Sequence, residues 1–267
     1  MTFLIILLTV LAILFALYTL LFVKPRNKAP KDPTVLTDYA HRGLHGKGVP
    51  ENSMKAFELA VNKGYGIELD VQLSKDRKVI VFHDYSLNRM TGINKKLKDL
   101  KEDELNKISL ANTDQRIPSF KKVLELVNGT VPLLIELKGE DLNAELCAKV
   151  ANELYEYKGA YCIESFNPLL IRTIKKYLPD VYCGQLYTNV CRDKNKINPT
   201  YAILSLMTFN FLALPDFIAY NKKDRNAFPV KLAVNFHKAP KFVWTVRGDE
   251  EIATAKNLKE HAIFEIS

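Results

Sequence analysis

The 267-residue chain has no C-x-x-C pair, and its four cysteines (Cys147, Cys162, Cys183 and Cys191) share no metal-site spacing. That excludes a zinc ribbon or finger and accords with a reducing compartment. No G-x-G-x-x-G or Walker-type loop follows any candidate strand, which removes the main reason to expect an open nucleotide-binding sheet. Neither a Lys/Arg-rich helix nor basic–aromatic interleaving is present, so the electrostatic footprint of nucleic-acid binding is missing. There is no internal repeat. With 48% hydrophobic and 25% charged residues, 11 Gly and 12 Pro, the chain is neither disordered, collagenous nor of low complexity.

Charge is what the N-terminal stretch lacks. Residues 2–23 contain no charged side chain, and as one helix they span the ~30 Å core of a bilayer. No basic residue precedes the run and no A-x-A-like site follows it, unlike a secretory signal peptide. An apolar surface this long and uninterrupted also argues against a buried core helix. The sequence therefore predicts a single-pass membrane anchor, with the lipid bilayer as a partner. Lys24, Arg26, Lys28 and Lys31 follow it, opposed only by Asp32, and basic flanks stay on the cytoplasmic side. The N-terminus is expected outside and the folded domain in the cytoplasm. Pro25, Pro30 and Pro33 make residues 24–34 a stiff, extended linker, expected to hold the domain close to the headgroups. The net charge of +8 falls to +5 without residues 24–32, a mild basicity that suits anionic lipid or phosphate and equally an ordinary solvated surface.

The remaining 35–267 suffice for one large domain. Short β-rich runs are expected at 34–39, 67–73, 79–82, 133–138, 160–164, 181–186, 217–220, 242–246 and 262–266. Amphipathic helices are expected at 53–63, 119–128, 142–155, 168–178 and 250–259. Phe120, Val123, Leu124 and Val127 show the helical spacing, with Gly129 as a stop. Repeated strand–helix units imply parallel strands with helices outside them. About eight strands in this length fit an α/β fold of the closed (β/α)8, TIM-barrel kind better than an open sheet. Residues 84–117 and 191–215 break the alternation and read as insertions over one end of the barrel.

Five features place polar groups where a barrel strand should be apolar or should end. His41-Arg42-Gly43 closes the first strand, with Pro50-Glu51-Asn52-Ser53 opening the next helix. Glu68, Asp70 and Gln72 share one strand face, opposite Ile67, Leu69, Val71 and Leu73. Two neighbouring carboxylates on an inward face lose hydration and repel, and a divalent cation is the simplest compensation; solvated edge-strand acids are the bland alternative. Glu136 and Lys138 share a face too. Glu136 offers a third oxygen ligand for a hard ion such as Mg2+ or Ca2+, and Lys138 a point charge for phosphate, although a mutual salt bridge explains the pair equally well. His83-Asp84 ends one apolar run. Trp244, the sole Trp, stands near another strand end, where core packing is equally ordinary. Two imidazoles, three acids, a Lys and an Arg at C-terminal strand ends suit phosphodiester cleavage by paired proton transfer.

These residues resemble the glycerophosphodiester phosphodiesterase family. Its pattern is matched in order by His41-Arg42-Gly43, Pro50-Glu51-Asn52-Ser53, Glu68-Leu69-Asp70-Val71-Gln72-Leu73-Ser74-Lys75-Asp76 and His83-Asp84. Thr91-Gly92, Ile117-Pro118-Ser119, Glu136-Leu137-Lys138, Ser165-Phe166 and Trp244-Thr245-Val246 continue it. The resemblance implies a (β/α)8 barrel, His41 and His83 as general acid and base, and Glu68, Asp70 and Glu136 as ligands of one divalent metal, Mg2+ or Ca2+. It also implies Arg42 and Lys138 as phosphate contacts, with Trp244 in the substrate site. The implied reaction yields glycerol 3-phosphate and an alcohol from a glycerophosphodiester, with lysophospholipids as related substrates. Phospholipases of the phosphatidylinositol or sphingomyelin type and a catalytically silent lipid-binding protein are the alternatives. The chain departs from the pattern at its end, where Glu265 stands in place of the family's terminal Asp.

Overall fold

Strict alternation along residues 66–73 decides the architecture, because one side of that strand is aliphatic and the other acidic, yet all of it is buried. A strand buried on both faces needs a second layer on each side. The computed structural model, which describes residues 1–26, 28–139 and 144–266, provides it by closing the sheet. The strands are β1 (Tyr39–Ala40), β2 (Gly66–Leu73), β3 (Val79–Val81), β4 (Leu133–Leu137), β5 (Tyr161–Ser165), β6 (Cys183–Tyr187), β7 (Phe217–Asn221), β8 (Lys241–Arg247) and β9 (His261–Glu265). All but β3 run parallel in chain order, and β1 pairs with both β2 and β9. The result is the closed eight-stranded barrel that the sequence predicts.

Ile67, Leu69, Val71, Ile135 and Ile163 pack outward against the helical layer. Tyr39, Leu134, Cys162, Leu186, Phe217, Phe242 and Ile263 fill the lumen. Gly184 makes room for this filling, since a Cβ there would meet the Phe217 ring at 2.0 Å. Apolar side chains thus plug the lower lumen and leave its polar residues at the C-terminal strand ends.

Helix α1 is Thr2–Leu17, continuing through a wider turn over Tyr18–Phe22, and α2 is Met54–Lys63. In α2 the Ser53 hydroxyl accepts from the Ala56 amide and Gly64 ends the helix in the left-handed conformation, as capping chemistry dictates. Helices Phe120–Val127, Ala144–Tyr155, Pro168–Tyr177 and Gly248–Asn257 complete much of the outer ring. The expected helix start at residue 142 lies outside the described residues, as does Ser267.

Two expectations need correction. The first strand is Tyr39–Ala40 and not 34–39, because Pro33–Val35 forms a 3-10 turn capped by Asp32. The run at 79–82 is no barrel strand: β3 folds back antiparallel on β2. Residues 84–117 carry a small core of their own, with Leu87, Leu97, Leu105, Leu110 and Ile117 packed on Ile80 and Phe82.

The basic segment after α1 lies against the base of the barrel. Arg26 grips the fully buried Asp216 through two hydrogen bonds, Nε–Oδ1 at 2.6 Å and Nη2–Oδ2 at 2.8 Å. Lys28 and Lys31 reach Asp180 at 2.8 and 2.7 Å. Val23 is fully buried in the core.

Candidate active site

β1 ends at Ala40, and the chain turns sharply at Arg42 and Gly43, both at positive φ. Gly43 is required there, because a Cβ would press on the Ala56 backbone and the Phe57 ring at 2.9 Å. This turn aims the Arg42 amide at Glu68 Oε2, 2.8 Å away, and puts His41 over the lumen. The His41 Nδ1 lies 2.7 Å from Glu265 Oε1. Burial raises the Glu265 carboxyl, but His41 and Arg247 outweigh it and hold it at about 2. An ionised carboxylate only accepts, so Nδ1 carries the proton and donates. That leaves Nε2 free toward Glu68, at 3.9 Å.

His83 is placed by a different device. The Gln72 amide donates to the carbonyls of Phe82, His83 and Asp84 at 2.8–3.1 Å, so the lumen face of β2 itself fixes the loop after β3. His83 Nδ1 lies 2.5 Å from Asp84 Oδ1, which again directs its Nε2 away from the acid. Arg89 bonds both Asp84 and Glu51, and Glu51 also accepts from Arg42. Burial lowers both His41 and His83 below the ordinary imidazole value, against the raising influence of Glu265 and Asp70 respectively.

Glu68, Asp70 and Glu136 are buried, and one carboxylate oxygen from each lies within 4.8 Å of the others. Asp70 and Glu136 are cross-strand partners in register. Burial, reinforced by Asp70 and Glu136, pushes Glu68 well above the usual carboxylate range. Burial raises Glu136 to about 7 despite Lys138. It raises Asp70 also, but Lys138 and Arg42 outweigh it and hold that group far down. Lys138 Nζ stands 2.7 Å from Glu136 Oε1 and 3.1 Å from Asp70 Oδ1, so the salt bridge foreseen as the bland reading exists. One ammonium and a guanidinium do not neutralise the group, since two of the three acids are driven toward the protonated form. Three convergent hard oxygen donors in that condition fit a divalent cation, which would restore their ionisation.

His41, Arg42, Glu68, His83, Glu136, Lys138 and Trp244 line one chamber of about 60 Å³. That is room for an ion and about one or two waters. The chamber shares His83, Glu136, Lys138 and Phe166 with an open cleft of about 700 Å³, large enough for a substrate. Trp244 donates to the Ala219 carbonyl at 3.1 Å and meets the Phe166 ring edge-on at 5.7 Å, so it serves packing and lines the site at once.

Sequence reasoning gave no site role to four participants. Asn52 donates to Asp70 Oδ2 at 2.8 Å. Arg89 ties the two loops together, as above. Glu265 supports His41. Glu164, in register with Glu136 on β5, is buried with Oε2 unpartnered, and burial beside Glu68 and Glu136 pushes it well above the usual range. The signal for Glu164 was present in residues 161–165, where an acid interrupts an apolar strand.

A chamber with convergent acids, two oriented imidazoles and paired cations can bind a phosphate and move protons on both sides of it. Comparisons with known proteins place the chain in a family. A glycerophosphodiester phosphodiesterase of Caldanaerobacter subterraneus subsp. tengcongensis is 33% identical over 224 residues, 80% of this chain and 86% of that one. A lysophospholipase D of Rattus norvegicus is 37% identical over 132 residues, 45% of this chain and 41% of that one. An Oleispira antarctica phosphodiesterase, solved with its product sn-glycerol-3-phosphate, superposes with a TM-score of 0.71 at 20% identity, covering 86% of this chain and 92% of that one. The family description "glycerophosphoryl diester phosphodiesterase family" matches residues 41–265. By that match and the relative sharing a third of its residues, the chain belongs to the glycerophosphoryl diester phosphodiesterase family, hydrolases of phosphodiester bonds.

Proposed function

We propose that this phosphodiesterase hydrolyses glycerophosphodiesters to glycerol 3-phosphate and an alcohol at a membrane surface, with His41 and His83 as the proton-transfer pair. The observation that carries this reading is that both imidazoles donate through Nδ1 to carboxylates and line one chamber. Each therefore offers a free Nε2 to a phosphodiester held between them. Burial lowers both imidazoles and so favours their neutral form, in which one can take the proton of the nucleophile. A bound phosphate anion raises its neighbour, so the other can protonate the leaving oxygen. Glu68, Asp70 and Glu136 are the ligands of one divalent ion, Mg2+ or Ca2+, which when bound neutralises charge on the phosphate. Arg42 and Lys138 add positive charge on the same side, and Trp244 with Phe166 forms an aromatic wall for the rest of the substrate.

We divide the chain into a membrane helix at 2–23, a basic linker at 24–34 and the barrel domain at 35–267. Thr2–Phe22 has a mean hydropathy of 2.9 and is almost wholly exposed, which supports a single-pass anchor. The charge after it supports a cytoplasmic domain. Lysophospholipids are the second reading, favoured by the aromatic wall and by the lysophospholipase D relative. The test is a panel of glycerophosphocholine, glycerophosphoglycerol, lysophosphatidylcholine and an aryl diester with Mg2+, Ca2+ or chelator. Release of glycerol 3-phosphate from the first two, dependent on one cation, is the expected result. No hydrolysis of any diester with either ion refutes it.

A further inference from the structure

The direction in which α1 leaves the barrel follows from its neighbours. The segment between β6 and β7 descends from the catalytic end to the base, and so does the segment between β7 and β8. Tyr18 bonds the Leu206 carbonyl, close to the upper end of the first descent, where Ser205 meets Tyr187 at the end of β6. Phe22 meets Phe211 and Val23 bonds Asn210, both lower on the same descent, and Arg26 reaches Asp216 at its foot. On the second descent Tyr18 stacks on Phe228 near the top and Phe15 meets the same ring at a tilt, while Thr19 contacts His237 lower down. Both series run the same way. Residues 2–14 therefore project past the catalytic end of the barrel and not past its base.

That free part is 13 residues, about 20 Å of helix, shorter than the ~30 Å hydrocarbon core. A bilayer spanned by α1 must therefore reach down to the level of the barrel rim. The rim beside α1 suits it: Ile197 (86% exposed), Ile203, Leu204 and Leu206 are exposed apolar side chains, and Phe228 keeps half its surface exposed beside Phe15 and Tyr18. Exposed Lys194 and Lys196 directly precede Ile197, and exposed Lys223 follows β7; basic and apolar side chains together suit an anionic headgroup layer. Phe166, at the lip of the catalytic cleft, is exposed on the same end.

We infer that the loops after β6 and β7 are seated in the leaflet, so that the catalytic mouth opens onto the bilayer and takes amphiphilic diesters, carrying an acyl chain, directly from it. The substrate half of this inference rests on the phosphodiesterase reading; the docking face does not. The Arg26–Asp216 clamp and the docked Tyr18–Val23 turn set the geometry, since they stop the barrel from swinging freely below its anchor.

The test uses the full chain in vesicles of phosphatidylcholine and phosphatidylglycerol, in a Cys191→Ser background because the other three cysteines are buried. Nitroxides are attached at Ile197→Cys and Leu204→Cys on the rim and at Tyr155→Cys, which is 77% exposed at the opposite end. The rim labels should be accessible to oxygen and shielded from a water-soluble nickel chelate, with the reverse at 155. Equal chelate access at all three positions overturns the docking face. In a second arm, Ile197→Glu with Leu204→Glu should lower hydrolysis of vesicle-borne lysophosphatidylcholine about tenfold, because two charges oppose seating of the rim. Hydrolysis of soluble glycerophosphocholine should be unchanged. Equal loss on both substrates, or loss on neither, overturns uptake from the bilayer. Lipid-shielded rim labels on a protein that cleaves neither diester uphold the docking face and refute the phosphodiesterase reading alone.

Discussion

Replacing Arg26 by Met tests whether the segment after α1 is part of the barrel or merely a tether. Asp216 has no exposed side-chain surface. Besides the two Arg26 bonds, it accepts from the Cys183 amide at 2.9 Å and lies 3.6 Å from Lys175 Nζ. Removing one partner of a buried pair costs about 3–5 kcal/mol when the remaining charge has nothing else. Here Lys175 and one backbone donor remain, and Arg26 is a quarter exposed. The expected loss is therefore about 2–3 kcal/mol, or roughly 4–12 °C in the melting midpoint of a domain this size. Thermal unfolding of the full chain in detergent, followed by circular dichroism, reads it. Arg26→Met with Asp216→Asn should lose less than Arg26→Met alone, because no carboxylate is then stranded. A single variant that melts within about 1 °C of the parent refutes the clamp.

Three further outcomes concern the site. His41→Ala and His83→Ala should each lower kcat about 10²-fold or more while the melting midpoint holds; parental turnover in either removes that residue from the chemistry. Glu68→Gln and Asp70→Asn should abolish metal-dependent hydrolysis, and calorimetric titration should find no tight divalent ion in either; full activity in chelator contradicts the assignment. Glu265→Gln keeps a hydrogen-bond acceptor for His41 but removes the charge that raises it. The His41 imidazole then falls further below 6.5, so the acid limb of kcat/KM should move to lower pH with reduced kcat. An unmoved or upward-shifted limb refutes the role of Glu265 as the residue that positions His41.

Much of the barrel was legible because its signals are local. Period-two alternation in 67–73 assigned Glu68 and Asp70 to the lumen without any tertiary information, and the spacing of Phe120, Val123, Leu124 and Val127 gave a helix. The sequence was silent where structure depends on partners far along the chain. β1 has only two residues, and what makes it a strand is pairing with β2 and β9 on either side, which no local pattern encodes. The run at 79–82 has strand composition in either orientation; its antiparallel return is set by the four-residue turn after Ser74, where the Lys78 amide bonds the Ser74 hydroxyl. Residues 84–117 bury Leu87, Leu97, Leu105 and Leu110 at intervals that match neither period. Asn52, Arg89 and Glu265 gain their roles only when separate loops meet at one mouth.

The basic residues after the apolar run bear on topology and on packing at different times. In the folded protein Arg26, Lys28 and Lys31 are paired with Asp216 and Asp180, at the end of the barrel away from the proposed bilayer. It would follow, if only the folded state counted, that they contribute nothing to orientation. For the proposed anchor, however, orientation is decided during insertion, and Asp180 and Asp216 lie more than 140 residues further along the chain, still to be folded against it. Before that folding, Lys24, Arg26, Lys28 and Lys31 flank one end of the apolar run unpaired, which is the charge bias the proposed orientation rests on. Arg26, Lys28 and Lys31 are afterwards paired at the barrel base, while the lysines of the opposite rim stay exposed, where the proposed bilayer would place anionic lipid. The proposed cytoplasmic placement and the proposed membrane-facing mouth are therefore compatible with one another, the first acting during insertion and the second in the native fold.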